Sequence, residues 1–269
     1  MHPIGEVLRK LQERAKQSQS VAVASAESEN EREYDCPKCK DQRGYLGRNS
    51  EGDEVWIRCS CVEWMKVQRI MKASEITDEF RKLAFANFVT EGKHELILEA
   101  HDCALEYYQR FDEIHGNRQN SLSLLGQPGT GKTHLITAVA NSLMRKKGVP
   151  VLYFPYVEGF NDLRDDLDEL EVKLEKMKGI DVLFIDDLFK PVNKKPRATE
   201  WQIEQMYAVI NHRYINHKPI MVSSELNVSE LIIVDEALGT RIYEMCRDFT
   251  VVLEGDPLEL NHRLEGLEL

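Results

Sequence analysis

Between the apolar run Ser121-Leu122-Ser123-Leu124-Leu125 and the stretch from His134 to Lys147, the chain reads Gly126-Gln127-Pro128-Gly129-Thr130-Gly131-Lys132-Thr133. That is the Gly-x4-Gly-Lys-Ser/Thr spacing, set where it has chemical meaning: after a strand and at the opening of a helix. Glycines let backbone N–H groups wrap a polyphosphate with no Cβ in the way, and the helix N-terminus adds partial positive charge. In such a loop Lys132 reaches the β- and γ-phosphates of ATP, and the Thr133 hydroxyl ligates Mg²⁺.

Short apolar runs recur around this loop, at SLSLLG from 121, VLYF from 151, VLFID from 182, PIMVSS from 219 and FTVVLE from 249. Helical stretches are expected between them, near 132–146, 157–178, 200–216 and 228–246, and residues 65–118 also carry helical periodicity. Strands alternating with helices predict an α/β fold, a P-loop core with a parallel five-stranded sheet covered on both faces.

Val182-Leu183-Phe184-Ile185 ends in Asp186-Asp187. In a parallel sheet, ligands lie beyond the carboxyl ends of the strands. Asp186 is thus expected to hold Mg²⁺ through water, and Asp187 to orient the attacking water. Downstream, Lys190, Lys194, Lys195 and Arg197 form a basic loop that is either a solvated surface or a contact for nucleic-acid phosphates.

The 269 residues carry 35 basic and 46 acidic side chains, net −11. A broad basic face for duplex DNA is excluded at that balance, though a local basic patch is not. No apolar run approaches the roughly 18 residues of a membrane span. The N-terminus lacks the apolar core of a secretory signal. A cytoplasmic location with no membrane partner follows as the expectation.

Four of the six cysteines fall between residues 36 and 61. Cys36-Pro37-Lys38-Cys39 is followed by Gly44-Tyr45 and then by Cys59-Ser60-Cys61. Two close pairs suit a tetrahedral Zn²⁺ site with four thiolates, each pair forming a knuckle. So short a segment holds no core of its own, and a metal would supply much of its folding free energy. Cys103 and Cys246 sit in helical patterns and read as core residues. Ahead of the cysteines, Ile4, Val7, Leu8, Leu11 and Ala15 mark a short amphipathic helix, a surface element or a docking arm. Residues 17–33 read as a flexible linker. The domain plan is an arm and linker over 1–33, a four-cysteine module over 34–75, and a nucleotide-binding domain over 76–269.

GQPGTGKTHL and VLFIDDL together resemble the AAA+ ATPases. AVINHRYINHKPIMVSSELN, EALGTRIYEMC and LAFANF at 83–88 narrow the likeness to the DnaC/DnaI-type bacterial helicase loaders, phage-borne versions included, over roughly residues 76 to 269. The resemblance implies a core whose helical lid is reduced or absent. It makes Arg241, in Gly239-Thr240-Arg241-Ile242, an arginine finger acting in trans on a neighbouring subunit's ATP, hence a working homo-oligomer. Arg247 is the nearest alternative, and a solvated Arg241 the plainer reading.

These loaders place a polar sensor after the strand that here ends Ser223-Ser224-Glu225. A carboxylate beside a γ-phosphate is repulsive. Either Ser224 does the sensing or Glu225 turns towards a basic neighbour. The resemblance further implies a hexameric replicative helicase, contacted by the N-terminal region, and single-stranded DNA as partners. The acidic stretch 162–178 would face a partner or solvent. Two alternatives stand beside the loader: an IstB-like transposition helper, and a non-hydrolysing zinc adaptor for which nucleotide is a structural switch.

Overall fold

A computed structural model of the chain describes residues 34, 36–50, 52–163, 167–193, 195–264 and 266. The expected arm over 4–15, the linker over 17–33 and Lys194 lie outside the described residues. The chain divides into two compact units, one up to Trp64 and one from Met65 onwards. That division falls inside helix α1 (Cys61–Ala73), so residues 65–75, expected with the cysteines, group with the larger unit.

In the smaller unit, β1 (Gly44–Arg48) and β2 (Glu54–Arg58) form an antiparallel hairpin in register Gly44 with Arg58 through Arg48 with Glu54. Asn49 closes it, its side-chain oxygen accepting from the Asp53 N–H at 2.9 Å. Gly44 is a close approach: a Cβ there would lie 2.3 Å from the Trp56 indole nitrogen.

The larger unit is built on β3 (Leu122–Gly126), β4 (Val151–Pro155), β5 (Val182–Asp186), β6 (Ile220–Ser224) and β7 (Thr250–Leu253), in the order β4-β5-β6-β3-β7. Every neighbouring pair is parallel. β3, β5 and β6 are buried along their whole length, as continuous apolar runs demand of a sheet covered on both sides. Side chains alternate between two cores. Leu122, Leu124, Val182 and Phe184 pack with α2 (Glu95–Ile114) and α3 (Lys132–Ser142). Leu125, Leu183, Ile185 and Val222 pack on the other face with α4 (Tyr156–Leu163), α5 (Leu167–Gly179), α6 (Glu200–Ile215), α7 (Val228–Val234) and α8 (Glu236–Cys246).

Three helical expectations are revised. The stretch over 157–178 is two helices, α4 and α5. The stretch over 228–246 breaks at Asp235, whose carboxylate caps α8 by accepting from the Leu238 N–H at 2.7 Å. Between α1 and α2 the chain forms two 3₁₀ turns, Phe80–Lys82 and Phe85–Asn87, rather than continuous helix. After β7, the described residues hold α9 (Pro257–Leu260) and a turn at His262–Leu264. No described helix is long and apolar enough to cross a membrane.

Arg213 of α6 ties the helical layer to the sheet. It is fully buried, and its guanidinium donates to the carbonyls of Met177, Lys178, Ile180, Asp181 and Pro219 at 2.7 to 3.3 Å. It thereby serves the last carbonyls of α5 and the chain leading into both β5 and β6.

Candidate nucleotide site and metal centre

The loop from Gly126 to Thr133 turns at the carboxyl end of β3, with positive φ at Gly126 (105°), Gly129 (78°) and Gly131 (87°). Space, as well as conformation, demands the first two glycines. A Cβ on Gly126 would lie 2.3 Å from the Leu253 carbonyl oxygen, and one on Gly129 only 1.8 Å from the Asn261 side chain. Pro128, Gly129, Thr130, Gly131, Lys132 and Thr133 line a cavity of about 660 Å³. Gly126 and Gln127 support the loop from behind, their carbonyls accepting from the Lys132 ammonium at 2.6 and 2.7 Å. Burial pulls this amine from the ordinary 10.5 down to about 8, against the nearby charges of Glu225, Asp187 and Asp186. A polyphosphate would give the half-stripped cation a charged partner, so the cradle suits one.

Asp186 and Asp187 close the same cavity. Asp186 is buried, accepting from the Thr133 hydroxyl at 2.9 Å, from Tyr153 at 3.2 Å and, more closely, from Ser223. Burial raises its acid, and those hydrogen bonds work in the opposite direction. Thr133 and Asp186, a hydroxyl and a carboxylate on one side of the loop, are the donor set expected of a Mg²⁺ site. Asp187 takes φ +55°, held by its N–H donating to Ser223 Oγ at 2.8 Å. Its carboxylate accepts from Lys190 at 2.6 Å.

Two walls of the cavity carry no motif. One is the chain between α1 and α2: Phe80, Leu83, Asn87, Phe88 and Val89 line the site, and His134 of α3 lies 3.1 Å from the Asn87 side-chain oxygen. The other is the end of the described chain, where Leu260, His262 and Arg263 line it and His262 donates from its main chain to the Gly129 carbonyl at 3.0 Å. LAFANF marks the first wall in the sequence only through its likeness to the loaders, and the second wall has no local sequence signal.

The remaining expected residues are distributed as follows. Ser224 is fully buried and turned away from the cavity, its hydroxyl donating to the Leu188 carbonyl at 2.7 Å and accepting from the Leu226 N–H at 3.1 Å. Ser223, one residue earlier, supplies the hydroxyl that reaches Asp186. Glu225 does line the cavity and lies 3.7 Å from Lys190, the basic neighbour. Lys190 therefore belongs to the site and not to the outer basic loop, where Lys195 and Arg197 are exposed. Arg241 lies on α8 away from the cavity. Its Nε donates to Asn211 at 3.1 Å, and its guanidinium packs over the rings of Tyr207 and Tyr214.

In the smaller unit Cys36, Cys39, Cys59 and Cys61 converge with all four sulfurs within 4.8 Å of one another. The pairs Cys36–Cys59 and Cys39–Cys61 are 3.8 and 3.4 Å apart. A tetrahedral Zn²⁺ with S ligands at about 2.3 Å sets sulfurs about 3.8 Å apart, so the cluster fits that ion. The knuckle turn is drawn tight by the Lys40 N–H donating to the Cys36 carbonyl at 2.8 Å. Backbone hydrogen bonding at Cys39 holds the Cys36 thiol down at about 7, whereas burial pushes the Cys61 thiol up.

Residues 80–246 match the model of the family described as the bacterial DnaA ATPase domain. The chain belongs to that family. The match takes in the DnaA-type phosphate loop, both aspartates, Ser223 to Glu225 and Arg241, while the four cysteines lie outside it. Among relatives, the phage-like element PBSX protein XkdC of Bacillus subtilis (strain 168) is 61% identical over 234 residues, 87% of this chain and 88% of that one. Among solved structures, a candidate primosome component from Streptococcus pyogenes serotype M3 superposes with a TM-score of 0.55 at 19% identity, covering 69% of this chain and 95% of that chain. The DnaC helicase loader superposes at 0.54 with 22% identity, covering 66% and 100%. These two likenesses establish a shared fold for the DnaA-type domain, the fold the loader resemblance implied.

Proposed function

We propose that this protein is an ATP-hydrolysing replication protein that engages a hexameric replicative helicase and assists its loading onto single-stranded DNA. The observation that carries the reading is the meeting of Lys132, Thr133, Asp186 and Asp187 around one cavity at the carboxyl edge of the sheet. The loop N–H groups and the α3 N-terminus would cradle the polyphosphate, and the Lys132 ammonium would move from the Gly126 and Gln127 carbonyls to phosphate oxygens. Thr133 and Asp186 would hold Mg²⁺, which neutralises charge on the β- and γ-oxygens when bound. Asp187 would orient the attacking water, and Arg241 of one subunit would complete the site of the next.

The DnaA-type family membership and the loader-like fold support the replication role, and the XkdC relative supports a setting in a phage-like element. Lys195 and Arg197, which are exposed, supply a basic loop for single-stranded DNA. The four-cysteine unit supplies a compact knob for the helicase contact once Zn²⁺ fixes it. The glutamate at the sensor position favours a nucleotide switch without hydrolysis. Its pairing with Lys190 offsets the repulsion and leaves hydrolysis the stronger reading.

The test is light scattering on a sizing column with the host's replicative helicase, with and without ATP. A stoichiometric complex that depends on ATP or on residues 1–64 supports the loader. No complex under any nucleotide condition overturns it and directs the search to a transposase. Replacing Lys194, Lys195 and Arg197 by Ala should weaken single-strand binding and flatten its salt dependence.

A further inference from the structure

Lys190 owes its place to a turn made at unusual backbone cost. Within three residues, Asp187 and Phe189 take φ of +55° and +53°, a conformation that a bulky aromatic rarely adopts. The turn is held from β6. The Ser223 carbonyl accepts from the Leu188 N–H at 2.9 Å, Ser224 Oγ donates to the Leu188 carbonyl at 2.7 Å, and the Leu188 and Phe189 side chains are fully buried. The outcome is an ammonium aimed into the nucleotide cavity, 2.6 Å from Asp187 Oδ2 and 3.7 Å from Glu225 Oε1. Burial works against its charge, but Asp187 and Glu225 raise the amine above its ordinary value, so it enters the cavity as a cation.

A cavity that holds Asp186, Asp187 and Glu225 is a poor host for a triphosphate unless a cation stands between Glu225 and the terminal phosphate. Lys190 stands beside Glu225 and shares the cavity with Lys132. We propose that Lys190 is the cation through which this protein tells ATP from ADP: steadied by Glu225, it exchanges its bond to Asp187 for one to the γ-phosphate, and so releases the Asp187 carboxylate to orient water. The Glu225–Lys190 pair then fills the role of a neutral polar sensor. In the hydrolytic step the water oxygen bonds to the γ-phosphorus as the bond from that phosphorus to the bridging oxygen breaks. The water's proton passes to Asp187 and from there to the phosphate. Glu225 acts through Lys190 and is a positioning residue. The inference rests on the ATP-hydrolysis reading above.

The experiment compares equilibrium binding of fluorescent ADP and of a fluorescent non-hydrolysable ATP analogue, with Mg²⁺, to the full-length chain. The wild type should prefer the triphosphate. Lys190→Met should weaken the triphosphate tenfold or more while moving ADP less than twofold, and Lys190→Arg should restore the preference. Glu225→Gln should move the same ratio by less, and in the Lys190→Met background should recover part of the lost triphosphate affinity by removing the carboxylate that Lys190 no longer shields. If Lys190 merely braced Asp187, the ratio of the two affinities would not move. A Lys190→Met protein that keeps the wild-type ratio, or a wild type with equal affinity for both nucleotides, overturns the proposal. A wild type that binds neither nucleotide overturns the ATPase reading itself. If Lys190→Met melts early by circular dichroism, Lys190→Gln is read in its place.

Discussion

The Thr133 hydroxyl, in the first turn of α3 after the loop from β3, donates to the carboxylate of Asp186 at the end of β5 at 2.9 Å, although β3 and β5 are not neighbours: β6 lies between them. Ser223, at the end of that intervening strand, donates to the same carboxylate. The two residues expected to share a metal are thus brought together by the order of strands in the sheet and bridged by a third strand. Any change that shifts β6 moves both.

Lys132 gives the clearest activity prediction. Lys132→Ala should lower kcat/KM for ATP at least about 100-fold, near 3 kcal/mol of lost transition-state stabilisation, measured by phosphate release. Its amine is held at about 8 and binds phosphate as the ammonium. Nucleotide affinity should therefore stay level below about pH 8 and fall above it, by up to about tenfold per pH unit for a single linked proton. The unfolded chain holds this proton up to its ordinary 10.5, so the same group makes stability rise with pH between about 8 and 10.5. Isothermal titration in two buffers of different ionisation enthalpy should register proton uptake on binding above pH 8.

The cysteine cluster should release one Zn²⁺ per chain to a chelating dye, and Cys36→Ser or Cys59→Ser should abolish it. Because the ligands are thiolates, affinity should fall as the pH drops. Limited proteolysis of the chelated full-length chain should cut within residues 34–64 and leave the nucleotide-binding unit intact. Cleavage spread evenly over both units would count against a separately metal-dependent module.

Arg213→Ala should cost about 3–5 kcal/mol in urea unfolding, because five carbonyls in a dry interior lose their cation-assisted partner. Arg213→Lys should recover less than half of that. A single ammonium lacks the flat fork that lets one side chain serve carbonyls at the end of α5 and in the chain leading into β5 and β6 together.

Arg241→Ala should leave nucleotide binding by the isolated subunit unchanged and should abolish the rise of kcat with protein concentration. Mixing it with Lys132→Ala should restore part of the activity, since one protein keeps the loop and the other the finger. Mixed samples no more active than their parts would rule out action in trans.

Much of this architecture was legible because it is written in short-range patterns. The five strands follow apolar runs, and the phosphate loop declares itself by glycines and by the lysine and threonine after them. The two aspartates are marked by their position at the end of a buried strand. What could not be read depends on contacts between distant parts of the chain. The break at Asp235 is a side-chain cap inside an otherwise helical pattern. Ser223 and Ser224 differ only in which side of β6 they face, and no local pattern marks Ser223 as the hydroxyl that reaches Asp186. The chain around Phe88 and the turn at His262 line the cavity only because each packs against the phosphate loop, at Gly131 and at Gly129.

The contact between Gly126 and Leu253 bears on how the protein is made. The Gln127 N–H donates to the Leu253 carbonyl at 3.0 Å, and Gly126 leaves room for that same peptide. The loop is synthesised roughly half-way along the chain, but the backbone that shapes it belongs to β7, which leaves the ribosome much later. A nascent chain can assemble β3 and α3 early, yet it gains a nucleotide cradle only after β7 has docked. Partial chains should therefore be unable to draw on the cell's ATP, and competence should arrive in one late step of folding.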